Sequence, residues 1–311
     1  MPRSGSPGLI DGAPSLTSMN RIPVTHRVAH RLARFGLRGS TYYWRLAKMC
    51  QRVPEAGVVM VPGGAPLICD PSDWTCRSAY EGTYEREILR LLGDLLVDGD
   101  VVVDVGANVG VITAHASVLV GAKGRVIAVE PSPRCLPALR AVADSLGNVT
   151  VIEAALGADE CMVEMAGWDN PQHRGLGSLV PGHRAGLSEN WFDGETRKVR
   201  QVRLDHLLAE HLGDEPPIGL LKIDVEGYEP MVLKGAPNLF LDCRVRSAIL
   251  EVTTILPVDW VGDLLLELAS TYDSFAIGET GRLRRRLSLK PVDARSAMEI
   301  PTQWNMLLIR R

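Results

Sequence analysis

Hydrophobic residues follow two rhythms along this chain, and the alternation between them predicts its architecture. Val101-Val102-Val103-Asp104-Val105 is apolar at all but one position, the pattern of a strand buried on both faces. Val111, His115, Val118 and Ala122, with Ile112 and Leu119 beside them, then recur at helical spacing. Further apolar runs at Val126–Val129, Val149–Ala155, Leu220–Val225 and Ala248–Val252 predict strands, and Ser274–Ile277 and Trp304–Arg310 predict the last two. Helical periods separate most of them: Leu136, Leu139, Val142, Ala143 and Leu146, then a short helix ending near Gly235, then Asp259–Ala269. Upstream, Val58–Cys69 alternates loosely and reads as one or two short strands. Asp70–Tyr84 carries turn chemistry and reads as a loop, and Tyr84–Leu96 reads as a helix through Ile88, Leu89, Leu92, Leu95 and Leu96. Strands alternating with helices imply a doubly wound α/β sheet with right-handed crossovers.

In such a sheet the ligand lies beyond the carboxyl ends of the strands, and this chain places acids there. Asp104, Glu130, Asp224, Glu226 and Glu251 all fall at or near predicted strand ends. Gly106-Ala107-Asn108-Val109-Gly110 forms the turn after the first strand, a layout expected to aim free backbone N–H groups at a ligand. Glu130, about 20 residues on, stands where a ribose diol is gripped in nucleotide-binding folds. Nicotinamide dinucleotide folds use GxGxxG, whereas this turn reads DxGxxxG and is preceded by a carboxylate. That carboxylate repels a diphosphate and suits a cation, such as the ammonium end of S-adenosylmethionine. The methyl donor is therefore preferred over a dinucleotide. Pro131-Ser132-Pro133 should open the next helix with Ser132 as N-cap, leaving Pro137 to bend its first turn. Glu85, at the start of the helix before the central strand, can approach a cationic ligand or simply favour the helix dipole.

Ala158–Lys198 breaks the rhythm. It holds Trp168, His173, Gly175, Gly177, Ser178, His183 and Trp191 with little periodicity, as expected of a segment on the substrate side. His173, Asp224 and Glu226 are the candidate proton acceptors, Asp224 first for its place at the strand tip. Asp224 and Glu251 suit a divalent ion, but with no third ligand in view no metal is assigned. His206 and His211 read as structural, and the Arg282–Arg286 cluster as a solvated loop.

Composition adds limits. A chain of 311 residues with 46% hydrophobic content can bury a large core, and a net charge of −3 gives no general attraction to nucleic acid. Six scattered cysteines without a CxxC pair read as reduced thiols of a cytoplasmic protein. Residues 1–20, rich in Gly, Ser and Pro, are expected to be disordered. No acid occurs from Asn20 to Pro54, and within residues 20–40 Arg27, Arg31, Arg34 and Arg38 share one helical face. That face either covers the main domain with its charges solvated or makes a weak contact with a membrane surface or acidic partner. The same acid-poor start resembles a transit peptide. His26 and His30, at i and i+4, lack a third ligand and read as surface residues. The expected division is a basic extension over 1–55 and one domain over 56–311.

In these residues the chain resembles the FkbM family of S-adenosylmethionine-dependent methyltransferases. The resemblance rests on Asp104 to Gly110, Glu130-Pro131-Ser132-Pro133, Gly177-Ser178-Leu179, and above all Lys222-Ile223-Asp224-Val225-Glu226-Gly227-Tyr228-Glu229. It runs from about Tyr80 to Glu251, and Asn305-Met306-Leu307-Leu308-Ile309 is also typical. Ser132 departs from the family's frequent Asn; both cap helices. The resemblance implies a Rossmann-like class I methyltransferase sheet of seven strands, mostly parallel with the last antiparallel, and O-methylation of a small-molecule hydroxyl in polyketides, sugars or glycolipids. It also implies that Gly106, Ala107, Asn108 and Gly110 wrap the methionine end of the cofactor. Glu130, followed by Pro131 and Ser132, would hold the ribose, with Ala154 and Ala155 beside the adenine. Asp224 and Glu226 would face the reacting centre. The alternatives are a dinucleotide-dependent oxidoreductase and a non-catalytic cofactor-binding protein docked through its basic helix.

Overall fold

The computed structural model describes residues 57–60, 66–69, 73–166, 179, 196–213, 217–253, 259–281, 286–301 and 303–311. The basic extension with His26 and His30, most of the 158–198 insert including His173, and Arg282–Arg285 lie outside them.

The chain opens with the hairpin β1 (Gly57–Met60) and β2 (Pro66–Cys69), paired antiparallel. Next comes α1 (Trp74–Glu81), a helix where the turn residues of the sequence predict a loop. The same residues that resemble a turn are its caps. Asp73 accepts a hydrogen bond from the Cys76 N–H at 3.0 Å, and Gly82 closes the helix at φ 65°. Then follow α2 (Arg86–Leu95), β3 (Val101–Val105), α3 (Val111–Val120), β4 (Arg125–Val129) and α4 (Leu136–Leu146). Cys135, not Ser132, is the N-cap of α4. Pro137 therefore sits in the first turn, where its missing N–H costs nothing and no bend is needed.

The apolar run expected as one strand over Val149–Ala155 is broken. It makes β5 (Val149–Ile152) and, after a tight turn in which the Ala154 N–H donates to the Ile152 carbonyl, β6 (Ala155–Leu156). The insert leaves and returns through β7 (Cys161–Ala166) and β8 (Thr196–Val202), antiparallel to each other, and β8 also pairs with β6. The remaining elements are α5 (Leu204–His211), β9 (Ile218–Ile223), α6 (Glu229–Lys234), β10 (Val245–Val252), α7 (Asp259–Leu268), β11 (Tyr272–Thr280), β12 (Arg286–Pro291), α8 (Ala294–Met298) and β13 (Trp304–Arg310).

The main sheet has the order β12-β11-β13-β10-β9-β3-β4-β5 and is parallel from β5 to β10. β13 runs antiparallel between β10 and β11, as expected for the last strand. The sheet has eight strands rather than seven. The extra one, β12, begins at Arg286 within the stretch read as a solvated loop, and it pairs antiparallel with β11 at the edge. An exposed edge strand with Arg and Lys among its residues carries little apolar signal.

Both faces of the sheet are covered, which is why its central strands lack alternation. On one face Val103, Val105, Leu221, Ile223 and Leu250 pack against Leu204, Leu208, Val232, Val261 and Leu265. On the other, Val102, Leu220, Ile249 and Leu307 pack against Ile88, Leu92, Ile112 and Ala116. β3 has β4 on one side and β9 on the other, so the strand order reverses there and a crevice opens at its carboxyl end. Among the described residues no helix is long and apolar enough to cross a membrane.

Candidate functional site

A cavity of about 330 Å³ occupies that crevice. The tips of β3 and β4 contribute Val105, Gly106, Asn108, Val129, Glu130 and Pro131, and the turn into β6 adds Ala154, Ala155 and Leu156. From β9, β10 and their loops come Asp224, Val225, Glu226, Tyr228 and Glu251, joined by Gln303. The unexpected helix α1 and the turn into α2 supply Trp74, Thr75, Thr83, Tyr84 and Glu85, and Trp74 meets Tyr84 edge-on with ring centroids 6.3 Å apart. Met165 and Leu179 bring the insert to the same cavity.

The glycine turn does not present free donors. The Gly106 and Ala107 N–H groups both donate to the Val129 carbonyl, at 3.0 and 3.1 Å, and the Gly110 N–H donates to the Ala107 carbonyl at 2.9 Å. The Asn108 N–H donates to Glu130 Oε2 at 2.8 Å, and the Val109 N–H to Asn108 Oδ1 at 2.8 Å. Every amide from 106 to 110 is thus spent inside the protein, and the turn offers a diphosphate no cradle. Gly106 is needed for another reason. At φ 79° a Cβ there would stand 1.8 Å from the Asp224 carbonyl oxygen, so only glycine lets the tips of β3 and β9 close together. Gly110, at φ 91°, packs against Leu139 and Val142 of α4 and does not line the cavity; nor does Ala107.

Glu130 is the most firmly placed acid. It is buried; Oε2 accepts from Asn108 and Oε1 accepts from the Ser132 N–H at 2.8 Å. Ser132 therefore acts through its backbone on Glu130 and lies behind the cavity wall. Burial pushes the Glu130 carboxyl up to about 7 against the pull of the two amides.

Asp104, expected to meet a cation, lies beneath the cavity floor. It is fully buried and accepts from Thr113 Oγ1 at 2.6 Å. Its neighbour in register on β9 is Lys222, also buried, whose Nζ donates to Asp224 Oδ2 at 2.8 Å. Burial alone would lower the Lys222 ammonium, but Asp224, Glu85 and Asp104 together raise it. Lys222 is the cation the sequence reading missed at Asp104: a lysine within an apolar run gives no sign of its partners until the strands are in register. Glu85, also beside Lys222, is pushed up to about 8, by burial first and then, against the pull of Lys222, by Asp224 and Asp104; its Oε2 is buried without a hydrogen-bond partner.

Asp224, Glu226 and Glu251 each bring a carboxylate oxygen within 4.8 Å of the others. The loop carrying Glu226, at φ 55°, is held by buried Glu229, whose Oε1 accepts the Val225 and Gly227 N–H groups at 2.9 and 3.2 Å. Burial lifts the Glu229 carboxyl to about 7. Glu251 is 9% exposed; Oε1 accepts from Gln303 Nε2, and Oε2 is buried with no hydrogen-bond partner. Its carboxyl is pushed well up by burial, then by Asp224, Glu226 and Glu229. His206, by contrast, is exposed on α5, pairs with Glu160 at 2.8 Å and does not line the cavity.

Residues 104–280 match the methyltransferase FkbM domain. The chain is 28% identical over 172 residues to the methyltransferase sdnD of Sordaria araneosa, covering 48% of this chain and 65% of that one. To the hexuronic acid methyltransferase AglP of Haloferax volcanii it is 26% identical over 185 residues, covering 56% of this chain and 70% of that one. It is also similar to the crystal structure of methyltransferase FkbM from Methylobacillus flagellatus KT, with a TM-score of 0.40 and 18% identity over 70% of this chain and 55% of that one. Since the domain match spans more than half of its length, the chain belongs to the FkbM methyltransferase family.

Proposed function

We propose that this protein transfers a methyl group from S-adenosylmethionine to a hydroxyl of a small molecule. One observation carries the reading: a buried, amide-held Glu130 and the acidic group Asp224, Glu226 and Glu251 share a single cavity at the point where the strand order reverses. Glu130 accepts hydrogen bonds from the cofactor's ribose hydroxyls, and Ala154 and Ala155 form the apolar wall for its adenine. Gly106 and Asn108 face its methionine part, with Glu85 beside its ammonium. The acceptor lies toward β9 and β10. The relative AglP is a hexuronic acid methyltransferase, which supports an oxygen-rich acceptor.

In the reaction a lone pair of the acceptor oxygen attacks the methyl carbon, the carbon–sulfur bond breaks with its electrons going to sulfur, and neutral S-adenosylhomocysteine leaves. Positioning contributes much of the acceleration, since well-oriented partners reach effective molarities of about 10⁵–10⁸ M. An alcohol is nearly as weak an acid as water, with a pKa of roughly 15.7, so its proton needs an acceptor. Glu226, on the same loop as Asp224 and in the cavity wall, takes that proton, with Asp224, whose Oδ2 accepts from Lys222, orienting the hydroxyl. Replacing Glu226 by Gln is expected to lower kcat by about 10²–10⁴-fold while S-adenosylhomocysteine affinity stays within a few-fold. Mass spectrometry of a methylated product from pooled polyketides, uronic acids and glycolipids, with each form of the enzyme, measures it. Full activity in the variant removes Glu226 as proton acceptor; no methylated product from the wild-type protein with any acceptor removes the reading.

A further inference from the structure

The geometry points to a site for one hard divalent cation, of the Mg²⁺ class, formed by the carboxylates of Asp224, Glu226 and Glu251. The sequence alone offered Asp224 and Glu251; folding brings Glu226 to them as the third ligand. Two oxygens on opposite sides of such an ion stand about 4–5 Å apart, twice a metal–oxygen distance of about 2.1–2.5 Å. The three carboxylate oxygens here, all within 4.8 Å of one another, are close enough to touch one ion. A donor set of carboxylates alone suits Mg²⁺, Mn²⁺ or Ca²⁺ and disfavours softer metals.

An acidic cluster is common on protein surfaces, but this one contains a feature that surface clusters lack. Glu251 is nine-tenths buried, lines the cavity, and leaves Oε2 without any hydrogen-bond partner. A buried carboxylate oxygen in that position is costly unless a ligand or a proton meets it. Lys222, a buried cation on the neighbouring strand, does not meet that oxygen: its Nζ donates to Asp224 and it lies against Glu85 and Asp104. The support beneath the site is rigid as well, because Glu229 ties down the backbone on both sides of Glu226.

The inference deepens the methyl-transfer reading and rests on it for the ion's role, though not for its binding. An ion held here has coordination positions left for an acceptor with two adjacent oxygens, such as vicinal hydroxyls or a hydroxyl next to a carboxylate. Such an ion would lower the pKa of a hydroxyl bound to it, with the Glu226 carboxylate beside that hydroxyl.

Full-length protein stripped with a chelator and titrated with MnCl₂, following the signal of free Mn²⁺ by electron paramagnetic resonance, should take up one ion per chain. Excess MgCl₂ should displace it. Glu251→Gln and Glu226→Gln should each weaken Mn²⁺ binding at least tenfold. Should either variant not fold, anomalous scattering from a Mn²⁺-soaked wild-type crystal decides, by placing the ion among the three carboxylates or elsewhere. No saturable Mn²⁺ uptake by the wild-type protein, with or without S-adenosylhomocysteine, overturns the proposal, and so does unchanged binding in both variants. A parallel titration with S-adenosylhomocysteine separates the two claims: binding of the nucleoside without Mn²⁺ sinks the metal site and leaves methyl transfer standing. Uptake of Mn²⁺ that depends on Glu251, without nucleoside binding, does the reverse.

Discussion

Replacing Lys222 with methionine lowers the stability of the folded protein by about 3–5 kcal/mol, the usual cost of removing one partner from a buried ion pair. The methionine fills the same space, so the loss is electrostatic. Asp224, Glu85 and Asp104 share this one ammonium, and among the described residues Asp104 then keeps the hydrogen bond from Thr113. Opposite unit charges 4 Å apart attract by about 4 kcal/mol at an effective dielectric of 20, and all three acids lose the same cation together. Urea unfolding followed by tryptophan fluorescence gives the difference. The deficit should narrow as the pH falls, because the stranded acids can then take protons. A loss below about 1 kcal/mol would mean that Lys222 does not hold the floor of the cavity together.

Glu130→Ala is the second large effect, and it falls on binding. Hydrogen bonds to a charged group contribute about 1.5–3 kcal/mol each, and the proposed binding mode sets two ribose hydroxyls on this carboxylate. S-adenosylhomocysteine affinity is therefore expected to drop by about 10²–10⁴-fold. The pH dependence adds a signature. Burial raises the Glu130 carboxyl to about 7 in the unliganded protein, and only the ionised form accepts from both hydroxyls. Wild-type affinity should thus be full above pH 8 and weaken as the pH falls through 7, by up to about tenfold per unit. In the alanine variant that component disappears. An affinity within threefold of wild type would place the ribose elsewhere.

Much of the architecture was legible in the residues because the central strands are covered on both sides. Val101–Val105 and the run ending at Ile223 admit no alternation, so each announces a buried strand, and an acid next to its end marks the ligand side. What stayed hidden depends on partners far away in sequence. The donors of the glycine turn look free until β4 brings the Val129 carbonyl beneath them. Lys222 looks like a misplaced charge until the register of β3 and β9 sets it beside Asp104. Helix α1 was readable in principle, since Asp73 and Gly82 are ordinary capping residues, but the same residue types serve turns equally well. The edge strand β12 left almost no trace, because few of its side chains are buried. Glu226 could be named as reactive from its motif. Its meeting with Glu251, from the next strand, is a product of topology.

The proposed methyl transfer requires a sulfonium nucleoside, not a dinucleotide, in the cavity at the end of β3. Calorimetric titration of the full-length protein with S-adenosylhomocysteine and, separately, with NADH tests this most directly. One saturable site per chain for S-adenosylhomocysteine and no heat from NADH is the expected result. Saturable binding of NADH with none of S-adenosylhomocysteine would contradict it.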